Sequence, residues 1–142
     1  MKFTNLKKRI KKNEGYSNKP YKDQLGFYTI GYGHLIRNSE KKYFKKNFNK
    51  DHFDKIFEID FNKSLKQYNK MFSQKKYTKN EKELLIEMLF QLGLKGVSKF
   101  KKMLFHLDNK ERYMVCLEMM DSLWYEQTPK RVENLIFNFI NN

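Results

Sequence analysis

The segment KNEGYSNKPYKDQLGFYTIGYGHL, residues 12–35, decides how this chain is read. It holds four of the six glycines (Gly15, Gly26, Gly31, Gly33), one of the two prolines and only two acids, Glu14 and Asp23. Aromatic and β-branched residues broken by glycines predict short hairpins of a small antiparallel sheet. No other part of the chain carries a β signal. Gly31 and Gly33 suit either a close approach of backbone to a ligand or a positive φ in a bulged strand.

Outward from this segment the period changes. Phe3, Leu6 and Ile10 predict an amphipathic helix over 3–12. Glu14 stands three helical turns beyond Phe3, so its carboxylate shares the apolar face if the helix reaches that far. Gly15 then suits the end of that helix. Downstream, Phe53, Ile56, Phe57, Phe61, Leu65, Tyr68 and Phe72 predict a helix over 51–74, about 36 Å long. Asp60 falls within that stripe, where a carboxylate needs a partner. The C-terminal half reads as helix throughout. Leu84, Leu85, Met88, Leu89 and Leu92 form a stripe ended by Gly93, then come GVSKFKKML, residues 112–120, and PKRVENLIFNFI with Pro129 in a first turn and Thr128 as its cap. The expected fold is α+β and mostly helical, one domain over 1–142. It has a sheet lobe (about 13–60), a connecting helix (about 51–74), and a helical lobe (about 72–142 with helix 1–12). A cleft between lobes is a common place for a binding site.

Composition narrows the function classes. The net charge is +14, carried by 26 lysines and only four arginines. Lysines spread from end to end, without arginine and aromatics clustered together, argue against specific nucleic-acid binding and fit attraction to an anionic surface. The abundance of Lys, Asn, Phe, Tyr and Ile also fits drift in an AT-rich genome. Cys116 is alone, so no disulfide framework is expected. The charged N-terminus has no signal-peptide run, and no stretch reaches about 18 apolar residues. A cytoplasmic origin and no stable membrane association are expected. No CxxC, His–x3–His, phosphate-binding loop or Ser–x–Gly elbow is present, so no metal or cofactor is implied. The seven methionines read as core filler.

Hydrolysis of a glycosidic bond generally takes two carboxyl groups flanking the scissile bond, one protonated and one ionised. Glu14 suits the first by its junction position, and Asp23 the second by its polar turn. On spacing alone, a pair of idle surface acids explains them better.

The full string alters that balance. EGYSNKPYKDQLGFYTIGYGHL resembles, nearly position by position, the lysozymes of T-even bacteriophages (glycoside hydrolase family 24), with Glu-Gly, Tyr-x-Asp, aromatic-Tyr-Thr-Ile-Gly and x-Gly-His-Leu. MLFQLGLKGVSKF (88–100) and WYEQTPKR (124–131) extend the resemblance over nearly the whole chain. It implies a two-lobed phage-lysozyme fold and a muramidase cutting the β-1,4 bond from N-acetylmuramic acid to N-acetylglucosamine, with inversion. By this resemblance Glu14 is the general acid, Asp23 assists the attacking water, and Thr29 holds that water. Arg131 steadies the glutamate, and Leu35 and Phe90 line the saccharide cleft. His34 reads better as a structural histidine paired with a carboxylate than as an acid, and Asp60 is its expected partner. Met103 and Glu118 stand where short polar side chains are expected, which leaves glycan preference open. The implied setting is host lysis at phage release. The enzyme would be a monomer acting on peptidoglycan strands after a separate holin opens the inner membrane. Rival readings are a virion-borne lysozyme for entry, a non-catalytic peptidoglycan-binding module, and a Lys-rich nucleic-acid binder.

Overall fold

A computed structural model describes residues 3–141. The elements run α1 (Thr4–Glu14), β1 (Ser17–Lys22), β2 (Tyr28–Gly31), β3 (His34–Leu35), a 3-10 stretch (Asn38–Phe44), α2 (Lys50–Phe72), α3 (Lys79–Ser98), α4 (Lys101–Asp108), α5 (Arg112–Met120), α6 (Leu123–Gln127) and α7 (Pro129–Asn141). This is an α+β chain, mostly helical, with one small antiparallel sheet in the order β1-β2-β3. The chain divides into two compact units, the first ending at Lys63 and the second beginning at Ser64.

In the first unit α1 buries Leu6 and Ile10 completely and ends at Gly15, whose φ of 74° is natural to glycine. The Gly15 amide closes the last turn by donating to the Lys11 carbonyl at 3.0 Å. Phe53 and Phe57 on α2 are 1% exposed and Phe61 is fully buried, as their helical spacing requires. Ile30, Tyr43 and Phe53 form a buried cluster with Ile36 and Phe48 packed against it. Along the hairpin, Tyr21 pairs with Thr29 and Lys22 with Tyr28, while a bulge separates Ser17 from Tyr21.

In the second unit Leu85, Ile86, Met88, Met103, Val115, Met119 and Val132 are buried. Helix α3 starts on a capping box. The Thr78 hydroxyl accepts from the Glu81 amide, and the Glu81 carboxylate accepts from the Thr78 amide. Gly93 was expected to end this helix. It does so, at φ 75° and ψ 176°, and a second short helical segment follows to Ser98, so α3 is two helical segments joined at a kink. The Arg112 guanidinium donates to the Phe139 and Ile140 carbonyls at 2.6 and 2.7 Å, satisfying acceptors that the end of α7 leaves open. The Thr128 hydroxyl donates to the Trp124 carbonyl at 3.1 Å, closing α6.

The methionine expectation needs correction. Met114 and Met120 on α5 are 39% and 40% exposed, because the helix buries only its Val115–Cys116–Met119 side. Cys116 is a buried free thiol, pushed up by burial more than the nearby Arg112 draws it down. Among the described residues no helix is long and apolar enough to cross a membrane.

Candidate active site

The last residue of α1 and the β1–β2 hairpin build the candidate site. A Cβ built on Gly33 would overlap the Glu14 carboxylate, so this acid is seated directly on glycine backbone. Gly33 has φ 74°, a second reason for glycine here. The close approach that the sequence left open at Gly33 is therefore an approach to Glu14. At Gly31 the neighbour is different: a Cβ there would meet the Phe53 ring at 2.8 Å, which is core packing.

Asp23 opens a tight turn. Its Oδ1 accepts from the Leu25 and Phe27 amides, both at 2.9 Å, and its own amide donates to the Phe27 carbonyl at 2.9 Å. Gly26, at φ 88°, lets the chain reverse within this loop. Two backbone donors on one oxygen fix the plane of the carboxylate and leave Oδ2 open. Thr29 is buried, and its hydroxyl donates to the Phe27 carbonyl at 3.1 Å. With its proton so used, Oγ1 faces any further partner as an acceptor.

Tyr21 ties the acids together. Burial raises its phenol pKa, and the Glu14 and Asp23 charges raise it further, so both carboxylates lie within electrostatic reach of one hydroxyl. Tyr21 and Thr29 are directly paired across the hairpin, which puts them on one face of the sheet. The sequence reading missed Tyr21, although the Tyr-Lys-Asp triplet contained it.

Leu35 is 51% exposed and pairs with Thr29. Its neighbour His34 is buried and bridges two acids. Nδ1 lies 2.8 Å from Asp60 Oδ2, and Nε2 lies 3.0 Å from Glu40 Oε1. Burial alone would lower the His34 pKa, but bonds to Asp60 and Glu40 and their charges raise it overall. Burial opposes ionisation of Glu40 as well, yet the Arg37 side chain and amide with His34 hold its carboxyl at about 2. Sequence periodicity found Asp60 and gave no sign of Glu40, which sits in the 3-10 stretch.

The second unit carries the remaining residues. Phe90 is half-buried on α3, and Arg131 on α7, largely covered, lies 3.6 Å from the buried Glu87 of α3. Met103 is fully buried and Glu118 half-buried, and both line a pocket of about 540 Å³ within the second unit.

Comparison with known proteins identifies the family. The family model described as Phage lysozyme matches residues 11–137. Two similar proteins come from Dictyostelium discoideum. "Probable T4-type lysozyme 2" is 32% identical, covering 96% of this chain and 94% of its own length. "Probable T4-type lysozyme 1" is 31% identical, covering 94% and 92%. The "Pre-baseplate central spike protein Gp5" of Enterobacteria phage T4 is 26% identical over 89% of this chain and 26% of the spike protein. With a family match over most of its length and two near full-length relatives above 30% identity, the chain belongs to the phage lysozyme family.

Proposed function

We propose that this protein is a muramidase that hydrolyses the β-1,4 bond between N-acetylmuramic acid and N-acetylglucosamine by single displacement. Family membership supports glycoside hydrolysis of peptidoglycan. The observation that carries the finer reading is the seating of the two acids. Glu14 rests on Gly33, and Asp23 is fixed by two amides with one oxygen open.

In the proposed reaction a water attacks the anomeric carbon while the bond to the departing oxygen breaks. Glu14 gives its proton to that oxygen. Asp23 Oδ2 takes one proton of the water, and Thr29 Oγ1 accepts a hydrogen bond from the other. Both O–H bonds then point away from the sugar, and a lone pair faces the carbon. The product anomer is inverted, which requires the carboxyls to stand roughly 6.5–9.5 Å apart with the water between. Displacement by water between two carboxyls calls for no metal or cofactor. Leu35 and Phe90 are proposed to contact the saccharide. His34 with Asp60 supports the β2–β3 corner that carries Thr29 and Gly33.

The proposed setting is bacterial lysis at phage release, by a monomer made in the host cytoplasm and passed to the wall through a holin lesion. Gp5 of phage T4 contains a similar segment within a spike protein, which favours virion-borne entry as the second reading. A binding module without catalysis is the third.

The test is clearing of outer-membrane-stripped bacterial walls, with new reducing ends counted and the first-formed anomer read by NMR. Wild type should clear walls and release the inverted anomer, while Glu14→Gln and Asp23→Asn should not. Thr29→Ser should retain activity and Thr29→Val lose about 100-fold, as expected for a misplaced nucleophile. Equal clearing by wild type and Glu14→Gln, or a retained anomer, would overturn the mechanism.

A further inference from the structure

The reverse face of the same hairpin carries a second feature. Side chains alternate along a strand, so Tyr28 and Lys22 face away from the side holding Thr29 and Tyr21. There, Tyr28 and the end of the 3-10 stretch enclose a groove of about 470 Å³, with Lys19, Lys45 and Lys46 among its walls. Buried Tyr43 also lines it, its hydroxyl held 2.7 Å from His52 Nε2. Tyr28 and Phe44 are 47% and 51% exposed and meet edge to face at 5.1 Å, which leaves ring surface open to a ligand.

The charge of this groove is uncompensated. No carboxylate among the described residues pairs with Lys19, Lys45 or Lys46, and no acid lines the groove. The nearest element's acid, Glu40, is already occupied by His34 and Arg37. Single-signed ammonium groups beside exposed aromatic faces suit an anion carried on a sugar ring. The C–H face of the ring covers the aromatics, and the anion meets the lysines. Ammonium groups act as point charges without the fixed fork of arginine, so they accept a carboxylate in many orientations. The perpendicular Tyr28–Phe44 pair offers no run of parallel faces for successive nucleobases, which disfavours single-stranded nucleic acid.

We propose that this groove is an accessory subsite for a carboxylate-bearing glycan, namely an uncut peptide-substituted strand of the wall polymer, held on the face opposite the catalytic acids. The assignment rests on the muramidase reading for its polymer but not for its chemistry. It converts a diffuse positive charge into a defined contact that keeps the enzyme on the wall between cuts.

Binding is measured by titration calorimetry on Glu14→Gln protein, so that no probe is cut. The probes are muramyl-peptide glycan fragments, a neutral N-acetylglucosamine oligomer of equal length, and a single-stranded DNA oligomer. The triple variant Lys19→Gln/Lys45→Gln/Lys46→Gln should weaken the acidic fragment at least tenfold and flatten its salt dependence, with the neutral oligomer unchanged. Lys→Arg at the same three sites should restore binding, and Phe44→Ala should weaken the acidic fragment without altering its salt slope. With Glu14 intact, the triple variant should clear whole walls several-fold more slowly yet cut soluble peptide-free glycan at the wild-type rate. Unchanged binding of the acidic fragment, equal losses for both glycans, or DNA binding as tight as the acidic glycan would overturn the assignment. Wild-type protein that cuts no glycan at all would instead sink the muramidase reading, and the calorimetry would still decide the subsite.

Discussion

One methyl group at Gly33 would fall on the Glu14 carboxylate, and the backbone there already sits at a φ of 74°. Gly33→Ala therefore moves the proposed acid and strains the turn. A displacement of about 1 Å can cost about 100-fold in rate, and a left-handed non-glycine residue costs about 1–2 kcal/mol. The expected result is folded protein with a modestly lower thermal midpoint and turnover down about 100-fold. Wild-type turnover would show that the carboxylate position is unimportant. At this scale Glu14, Asp23 and Thr29 are proposed from the resemblance of the full string, residues 14–35, and not from their spacing, which fits idle surface acids better. The seating of Glu14 on Gly33 was not legible, since nineteen positions of chain separate two atoms that touch. Tyr21 was hidden for a different reason. A tyrosine in a strand ordinarily signals packing, and only the pairing with Thr29 puts it on the face of the sheet that holds Thr29.

Three elements meet at His34: β3 supplies the imidazole, α2 supplies Asp60, and the 3-10 stretch supplies Glu40. His34 has a raised pKa in the fold, so its contribution to stability is fully present below the ordinary value of 6.5 and fades as pH climbs through the raised value. Glu40 runs the opposite way. It contributes above its ordinary 4.5 and loses that as pH falls toward about 2. Both contributions overlap between pH 4.5 and 6.5. Asp60→Asn should destabilise most in that window, by about 1.5–3 kcal/mol for a charged hydrogen bond, and converge with the parent at high pH. Denaturant unfolding across pH checks this, and a loss independent of pH would mean that Asp60 acts by packing alone. The long helix was legible because Phe53, Phe57 and Phe61 repeat at helical spacing, and it was found over Lys50–Phe72 against the expected 51–74. The 3-10 stretch and five-residue α6 were not. Three residues per turn over seven positions leaves no stripe to detect, and α6 is shorter than a detection window.

Over the whole molecule, a net charge of +14 makes salt act in two directions. Added salt screens attraction to an anionic wall, so clearing should slow between low and physiological ionic strength. The same screening relieves self-repulsion of the folded chain, so the thermal midpoint should rise over that range. Activity and stability should thus diverge, which turbidity and calorimetry in matched buffers will test. Parallel declines would mean that clearing is lost through unfolding. The family was legible at this scale because three separated blocks keep one order along the chain. The sign and size of the charge were equally plain. Its local concentration at Lys19, Lys45 and Lys46 was not, since those lysines come together only when β1 lies beside the 3-10 stretch.

Cys116 is a thiol sealed inside the second unit, and its burial has a practical outcome. An alkylating reagent can reach it only while that unit is open, so the labelling rate equals the intrinsic thiol rate multiplied by the open fraction. The protein therefore contains its own clock for local unfolding, readable by mass spectrometry without denaturant. Breaking the largely covered Arg131–Glu87 pair with Glu87→Ala should cost about 3 kcal/mol, and labelling should then run about 100-fold faster. A native chain that labels at the free-cysteine rate would mean that the helices around Cys116 breathe far more than their packing implies.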